Sequence, residues 1–336
     1  MDEYDDVHRS GKSMKTALII VGVAIGSVIP LPVAHWALWA LIPPLSPHSL
    51  AKTGHFISVG GIDTYYERHG SGPPLILIPA GGSQTSTWRF NIGALSRSHE
   101  VWTLDLPGSG YSEKPATFPY THRSYAEFVR DFMTKMGIAK AAVAGHSLGG
   151  AVALEFSLDF PERTAGLILI ASGGYPREEM PGALNLLVHR PLNPPVQRTI
   201  NAILMSFGSY PFIVKGFYSF LYHDPAPFAR DAELVQEDCD INRTPNAWDA
   251  MYWMQRALNF DFAIPDVTRI KSVTAPTLII WGRDDRVANV RTASRFQQDI
   301  VGSQLVVIDD AGHMVHEEKP DTVNDAITSF LAAIRW

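Results

Sequence analysis

One serine lies in a setting that nucleophilic chemistry requires. Ser147 occupies the third place of Gly145–Gly150 (Gly-His-Ser-Leu-Gly-Gly), after the apolar run Ala141–Ala144 and before the helix-forming run Ala151–Asp159. A serine at a strand-to-helix corner points its hydroxyl outward under backbone strain, and small neighbours let the strand and helix approach. The pattern predicts a nucleophile at Ser147. The alternative is a glycine-rich turn with a capping serine.

Two later segments offer partners for Ser147, whose hydroxyl is a weak nucleophile until a base removes its proton. The apolar run Thr277–Trp281 leads into Gly282-Arg283-Asp284-Asp285, and the run Leu305–Ile308 ends shortly before His313. Carboxyl ends of parallel strands gather at one edge of a sheet, so a carboxylate and an imidazole are expected near the serine. The chain order Ser, Asp, His agrees with this interpretation.

Five segments, in this order, resemble those of the α/β-hydrolase superfamily over the chain from about His55 to the C-terminus. They are the turn Asp105–Ser112, the corner at Ser147, the helix exit Asp159–Arg163, the strand and loop Ala275–Asp285, and the loop Ala311–His313. The resemblance implies an α/β fold with a mostly parallel central sheet, helices on both faces and an inserted helical cap. It also implies a serine hydrolase.

By position, the resemblance implies that Ser147 is the nucleophile, His313 the general base and Asp285 the acid that orients the imidazole. The family's acid usually lies three residues after the glycine that ends the strand, which favours Asp285; Asp284 stays open as the alternative. In the implied mechanism His313 takes the Ser147 proton during attack on a carbonyl, and then protonates the leaving group.

The loop after the apolar strand Leu75–Ile78 departs from the family pattern. Most relatives carry His-Gly there, whereas this chain has Pro79-Ala80-Gly81, with Trp88 at the spacing that the family favours. Aligned on Trp88, the Gly81 amide is expected to join the Leu148 amide in an oxyanion hole. The missing histidine removes a side-chain support of the loop, but not the amide donor. A flexible Gly-Gly turn is the alternative.

A long interval between strands predicts an inserted module. Leu167–Ser172 is typical of a buried strand, and the next such run begins only at Thr277. So wide a gap in a regular strand-helix alternation favours a helical cap at 173–265, inserted into a hydrolase core at 55–172 and 266–336. Its expected helices are Val196–Phe207, Pro211–Leu221 and Trp248–Leu258. The cap is rich in aromatic residues, most of which are expected to pack between its helices.

The N-terminal region indicates a membrane anchor. Thr16–Ile42 contains no Asp, Glu, Lys or Arg, and about 20 apolar residues suffice to cross a bilayer. Arg9, Lys12 and Lys15 precede it, so the positive-inside rule predicts a cytoplasmic tail at 1–15, a transmembrane helix at 16–42 and a catalytic domain on the non-cytoplasmic side. A cleaved signal peptide, which gives a secreted or periplasmic enzyme, and a hydrophobic arm outside the membrane are the alternatives.

Composition and motif content limit the kinds of partner and cofactor that are expected. A net charge of -6 with both signs interspersed argues against nucleic acid, and the single Cys239 excludes an intrachain disulfide. His122, His189 and His223 have no second ligand at zinc spacing, and no phosphate-binding or dinucleotide glycine motif is present. We therefore expect neither a metal nor an organic cofactor. The oligomeric state stays open.

Several residues near the candidate site are given ordinary roles. Asp105 is expected to stabilise its own Pro-Gly turn, and His146 to fill space inside the serine corner. His316, Glu317 and Glu318 are expected to form a solvated first turn of the last helix, favoured by the helix dipole.

Together these features predict a membrane-anchored serine hydrolase that cleaves carboxylic esters, lipophilic ones given the aromatic cap and the nearby membrane. A carbon-carbon bond hydrolase for ring-cleavage diketones is an alternative on the same triad. Such relatives tend to carry Asn before the nucleophile and Trp soon after the histidine, whereas His146 and Met314–His316 stand here. A perhydrolase, an acyltransferase and a non-catalytic ligand-binding protein of this fold also stay open.

Overall fold

A computed structural model describes residues 41–176, 194–258, 264 and 266–336. An eight-stranded sheet lies at its centre, with the order β1-β2-β4-β3-β5-β6-β7-β8. The strands are β1 (His55–Val59), β2 (Ile62–His69), β3 (Pro74–Ile78), β4 (Glu100–Leu104), β5 (Ala141–His146), β6 (Thr164–Ile170), β7 (Thr277–Gly282) and β8 (Gln304–Ile308). Strands β1, β2 and β4 pair antiparallel, and every pair from β4 to β8 is parallel. The expected mostly parallel sheet is confirmed.

The described residues form α-helices on both faces of the sheet and in the interval between β6 and β7. They are α1 (Pro47–Leu50), α2 (Arg89–Leu95), α3 (His122–Lys135), α4 (Leu148–Asp159), α5 (Pro194–Phe207), α6 (Pro211–Leu221), α7 (Ala226–Arg230), α8 (Ala232–Ile241), α9 (Ala247–Ala257), α10 (Arg291–Asp299), α11 (Val315–Glu318) and α12 (Pro320–Ala332). Side chains alternate along a strand, so Leu75 and Leu77 of β3 enter one core with α12, while Ile76 and Ile78 enter the other with α3 and α4. Burial on both faces explains the continuous apolar runs of β3, β5, β6 and β7.

Helices fill the described part of the interval between β6 and β7. The three expected cap helices appear as α5, α6 and α9, with bounds within two residues of the prediction. Helices α7 and α8 were not expected, since α7 has five residues and α8 is strongly acidic. Asp231 marks the start of α8, because its side chain accepts the N–H groups of Glu233 and Leu234.

Helix α8 fastens the cap to the core through two carboxylates. Glu237 accepts hydrogen bonds from Tyr111 Oη at 2.7 Å and Ser86 Oγ at 2.9 Å. Asp238 accepts one from Gln84 Nε2 at 2.8 Å. Burial raises the pKa of both carboxyls. These bonds hold the cap over the segment that follows β3.

The expected cytoplasmic tail at 1–15 and nearly all of the expected transmembrane helix at 16–42 lie outside the described residues. Among the helices that the structure describes, none combines the length and the apolar character needed to cross a bilayer.

Candidate active site

Ser147 stands at the corner between β5 and α4 in a strained backbone conformation. Its φ is +54° and its ψ is -117°, a region that residues with a side chain rarely occupy. Main-chain hydrogen bonds hold it there: Ser147 N–H donates to Ile170 O at 3.0 Å, and Ser147 O accepts from Gly173 N–H at 2.9 Å. Strain that persists under such constraint is common at functional sites.

Two glycines make this corner possible. A Cβ on Gly145 would lie 2.0 Å from Gly149 O, and a Cβ on Gly149 would lie 2.3 Å from Ile78 O. Both contacts involve backbone atoms, which cannot turn aside. Helix α4 therefore starts directly against strands β3 and β5, as the glycine spacing around Ser147 predicted.

The loops after β7 and β8 bring an aspartate and a histidine together. Asp285 Oδ2 lies 2.8 Å from His313 Nδ1, and both side chains are almost completely buried. Asp285 Oδ1 accepts the N–H groups of Val287 and Ala288, both at 2.8 Å. A carboxylate held in this way accepts the Nδ1–H proton of the ring, which leaves His313 Nε2 as the acceptor.

Asp284, the alternative acid, turns away from this pair. Its side chain is 41% exposed and its Oδ2 lies 3.0 Å from His223 Nδ1. His223, Asp284 and Asp310 form an exposed group. Each offers one atom that could bind a metal ion, and these three atoms lie within 4.8 Å of one another. The expectation that His223 stands alone is wrong, because it rested on spacing along the chain. His122 begins α3, and His189 lies outside the described residues.

The loop of His313 lies against the serine corner. His146 Nε2–H donates to His313 O at 3.0 Å, and the two ring centroids are 4.7 Å apart. Within the described residues, no hydrogen bond joins Ser147 Oγ and His313 Nε2. Such bonds are often long in enzymes without substrate and tighten when it binds. The structure thus forms the Asp–His pair next to the residue that precedes Ser147.

The segment after β3 touches the same corner. A Cβ on Gly81 would lie 2.7 Å from Leu148 Cδ2, so this backbone runs directly over the start of α4. Within the described residues, neither the Gly81 nor the Leu148 amide donates a hydrogen bond to another protein group. Two amides without a protein acceptor beside Ser147 are the arrangement that the predicted oxyanion hole requires.

The turn Asp105–Ser112 supports this segment in place of the absent histidine. Ser109 Oγ accepts Gly82 N–H at 3.0 Å, and Asp105 Oδ1 accepts Thr85 N–H at 2.7 Å. Asp105 Oδ2 accepts Tyr111 N–H at 2.8 Å, so its expected role in its own turn is also present. Burial raises the pKa of Asp105 to about 8. Sequence reasoning missed the support, although Asp-Leu-Pro-Gly-Ser-Gly had marked the turn.

We expect Ser109→Ala to lower kcat about fivefold while leaving the melting temperature nearly unchanged. The Gly82 amide loses an acceptor worth about 1 kcal/mol, and the Gly81 amide beside it becomes less well placed. Steady-state kinetics with a chromogenic ester and a thermal melt measure the two effects. Ser272→Ala, at an exposed hydroxyl that bonds to Arg269 O, is the control. A kcat equal to that of the control would show that Ser109 does not support the loop.

The expectation of a solvated turn at His316, Glu317 and Glu318 is wrong. Residues 315–318 form the separate short helix α11, and the His316 and Glu317 side chains are buried. The His316 ring packs 4.6 Å from both the His146 and the Trp88 rings, measured between centroids. These residues therefore form the layer behind the serine corner. Adjacent charged and polar residues gave no sign of this, because the contacts come from distant segments.

Glu318 ties the histidine loop to the cap. Its carboxylate accepts the N–H groups of Gly312 at 2.6 Å, His223 at 2.7 Å and Asp224 at 3.2 Å. His313 N–H also donates to Leu221 O, at 2.8 Å. The end of helix α6 and the loop that carries the imidazole are thus held as one unit.

We expect acid to destabilise the protein partly through His316. Burial, with the positive charges of His313 and Arg89, lowers the pKa of His316 to about 3, from about 6.5 in an unfolded chain. Between these values the folded state binds fewer protons, so the free energy of unfolding falls as the pH drops from 6.5 towards 3. His316→Gln should reduce this slope by up to about 1.4 kcal/mol per pH unit.

Urea denaturation from pH 4 to 7 measures the slope. His55→Gln, at an exposed position of β1, is the control and should retain the pH dependence of the original chain. Parallel profiles for His316→Gln and the original chain would contradict the prediction.

The segment Pro79–Thr85, called the oxyanion segment after its predicted role, contacts helix α9 of the cap through two methionines. A Cβ on Gly81 would lie 2.8 Å from Met254 Sδ, and a Cβ on Gly82 would lie 2.4 Å from Met251 Cε. Sequence reasoning had looked to the cap's aromatic residues and missed this pair. Their spacing of three on a predicted helix was the available signal.

A cavity of about 960 Å³ is lined by residues of the cap and by residues 42–44. Its lining includes Ile42, Pro44, Asn242, Trp248 and Tyr252, but none of the residues predicted for catalysis. It is therefore separate from the Ser147 corner.

The chain is similar to known proteins over most of its length. An uncharacterized hydrolase of Bacillus subtilis, YugF, is 26% identical over 276 residues, 82% of this chain and 96% of that protein. The 2-hydroxy-6-oxo-6-(2'-aminophenyl)hexa-2,4-dienoic acid hydrolase of Metapseudomonas resinovorans is 28% identical over 295 residues, 84% of this chain and 92% of that protein. The structure of the meta-cleavage product hydrolase CumD of Pseudomonas fluorescens superposes with a TM-score of 0.70 at 25% identity, covering 83% of this chain and 98% of that one. The sequence profile of the alpha/beta hydrolase fold matches residues 73–320, and the chain belongs to this family.

Proposed function

We propose that this hydrolase cleaves carboxylic esters with lipophilic acyl groups through an acyl-enzyme on Ser147. His313 Nε2 takes the serine proton as Oγ attacks the ester carbonyl, and the Gly81 and Leu148 amides bind the resulting oxyanion. The proton then passes from His313 to the leaving alcohol, and a water molecule repeats the sequence to release the acid. The observation that carries the proposal is the buried Asp285–His313 hydrogen bond beside the strained Ser147 corner.

An apolar acyl group suits the side chains nearest to the oxyanion segment. Those that approach Gly81 and Gly82 most closely are Leu148, Met251 and Met254. None of the three carries a charge, and ligand sites are mostly apolar with a few polar groups that fix orientation. A substrate with its own carboxylate needs a cation or donors to replace its water, which these three side chains cannot supply.

A second candidate is hydrolysis of a carbon-carbon bond in a dienoic acid. The names of the relative from Metapseudomonas resinovorans and of another, from Pseudomonas putida, favour it; the latter is a 2-hydroxy-6-oxo-2,4-heptadienoate hydrolase that is 26% identical over 286 residues. The same three residues serve both reactions. The two candidates therefore differ in what the cap admits rather than in the nucleophile.

A substrate panel distinguishes them. We expect kcat/KM for p-nitrophenyl esters to rise at least about tenfold from acetate to octanoate. A tenfold change corresponds to about 1.4 kcal/mol, and burial of two of the six additional methylenes, at about 0.8 kcal/mol each, supplies that much. The panel runs with and without detergent and includes a 2-hydroxy-6-oxo-2,4-dienoate. Much faster cleavage of acetate than of long-chain esters contradicts a lipophilic substrate. A dienoate cleaved faster than every ester replaces the proposal with the second candidate.

A non-catalytic binding protein of the same fold predicts a different result. A fluorophosphonate probe should label the original chain at Ser147 and leave Ser147→Ala unlabelled. Absence of labelling in the original chain would favour the binding protein over the enzyme.

A further inference from the structure

Helix α6 of the cap presents an apolar face to solvent. The side chains on this face are between 37% and 67% exposed, and they are Phe212, Ile213, Phe217 and Phe220. At 100° per residue, all four fall within an arc of about 140°. Val214 and Tyr218, on the other side of the helix, pack into the cap. The exposed face is therefore not the one that stabilises the cap.

The face carries no charge. Lys215 is the one charged residue of Pro211–Leu221, and it lies outside the arc. Three phenylalanines on one helix form an exposed apolar patch of the kind that marks contact with a membrane or another protein. The composition therefore calls for an apolar partner rather than an ionic one.

The start of helix α6 lies near the segment that leads from the uncharged run into the core. Leu45 N–H donates to Arg243 O at 2.9 Å, and the neighbouring Asn242 donates from Nδ2 to Gly208 O at 3.0 Å. Gly208 stands three residues before α6 begins. Leu41, next to Ile42 at the end of the uncharged run, is 80% exposed. The end of that run and the start of α6 thus share one edge of the cap.

We propose that the exposed face of α6 lies in the interfacial layer of a phospholipid bilayer, beside the uncharged run Thr16–Ile42. Apolar faces of surface helices bind at the boundary between headgroups and acyl chains, and a run of this length is long enough to cross the bilayer. Among the possible partners, a membrane also explains why the described end of that run and the start of α6 lie at one edge of the cap. Because the face is uncharged, zwitterionic lipids should suffice and salt should have little effect.

The proposal goes beyond cleavage of esters, because docking needs no turnover. It also has a consequence for the site. Leu221, at the end of α6, accepts the His313 N–H, so a docked helix holds the imidazole loop close to the lipid surface.

Site-specific fluorescence tests the proposal. Cys239 is buried and is the chain's one cysteine, so a new surface cysteine can be labelled selectively. The full chain carrying Ser147→Ala and Phe217→Cys is labelled with an environment-sensitive dye and reconstituted into phosphatidylcholine vesicles. We expect a blue-shifted emission that lipids with a spin label on the acyl chain quench. Val301→Cys, at a residue 92% exposed and far along the chain from α6, is the matched control and should stay water-like and unquenched.

Three outcomes overturn the proposal. If the dye at Phe217→Cys emits at the same wavelength as the dye at Val301→Cys, the exposed face of α6 remains in water. A blue shift without lipid quenching shows a face covered by protein, whether residues 16–40, a second copy or a soluble partner. A fall in quenching by about a factor of two or more, when the salt concentration is raised from 0.1 to 1 M, shows that the contact is ionic rather than apolar. Because Ser147 is absent from the labelled protein, the result does not depend on which bond the enzyme cleaves.

Discussion

Ser147→Ala is expected to lower kcat by about 10⁶-fold without lowering the melting temperature. The hydroxyl forms the acyl-enzyme in the proposed mechanism, and no other described group near the corner takes its place. The hydrogen bonds that hold the corner use the main chain of residue 147, so the fold should be retained. Steady-state kinetics on the preferred ester and a thermal melt measure the two effects.

Adding His313→Ala to Ser147→Ala gives a sharper test of the shared mechanism. Residues that act as one unit are not additive, so the double variant should be about as slow as the slower single variant. If the fold-losses in kcat of the two single variants instead multiply in the double variant, Ser147 and His313 do not act in one mechanism. Ser147→Gly adds a second readout, because glycine relieves the strain at φ +54° and should raise the melting temperature.

Asp285→Asn is expected to lower kcat by about 10⁴-fold, the second-largest effect. An amide at this position can donate to His313 Nδ1, which moves the ring proton to Nε2, where the base must be free. The buried network keeps its shape, because Asn retains one oxygen for the amides of Val287 and Ala288. The kcat should recover little as the pH is raised, since the defect lies in the tautomer.

The neighbouring carboxylate supplies the control. Asp284→Asn changes the same atoms one residue away, at a side chain that pairs with His223 and not with His313. We expect its kcat to stay within about threefold of the original value, since exposed ion pairs contribute little. Equal losses in the two variants would remove the assignment of Asp285 as the acid.

Much of the fold could be predicted from the sequence because it depends on interactions between residues that are close along the chain. Runs of β-branched and apolar residues predicted β3, β5, β6, β7 and β8. The first four strands are buried along nearly their whole length, so the local sequence is enough to predict them. Strand β8, at the edge of the sheet, is only partly buried but keeps the same apolar character. The glycines around Ser147 predicted the corner for an equally local reason, since a Cβ at Gly145 or Gly149 meets backbone. The cap followed from the interval between β6 and β7.

Contacts between distant segments account for what pattern missed. Ser109 and Asp105 reach the oxyanion segment across 27 and 20 residues of chain, and neither has a local sign of that role. Glu318 joins two loops that are ninety residues apart. A charged turn such as His316–Glu318 favours solvent unless a partner removes the cost of burial, and here Arg89 is that partner for Glu317.

The sequence by itself determined the class of fold, the serine corner and the strand ends where a carboxylate and an imidazole should meet. Only the tertiary structure decided that Asp285 contacts His313 while Asp284 faces outward. It also decided that Phe212 and Phe217 point away from the cap's interior, where aromatic residues were expected to pack. Strand periodicity and glycine sterics act within a few residues, whereas the direction of a side chain depends on segments that only folding brings together.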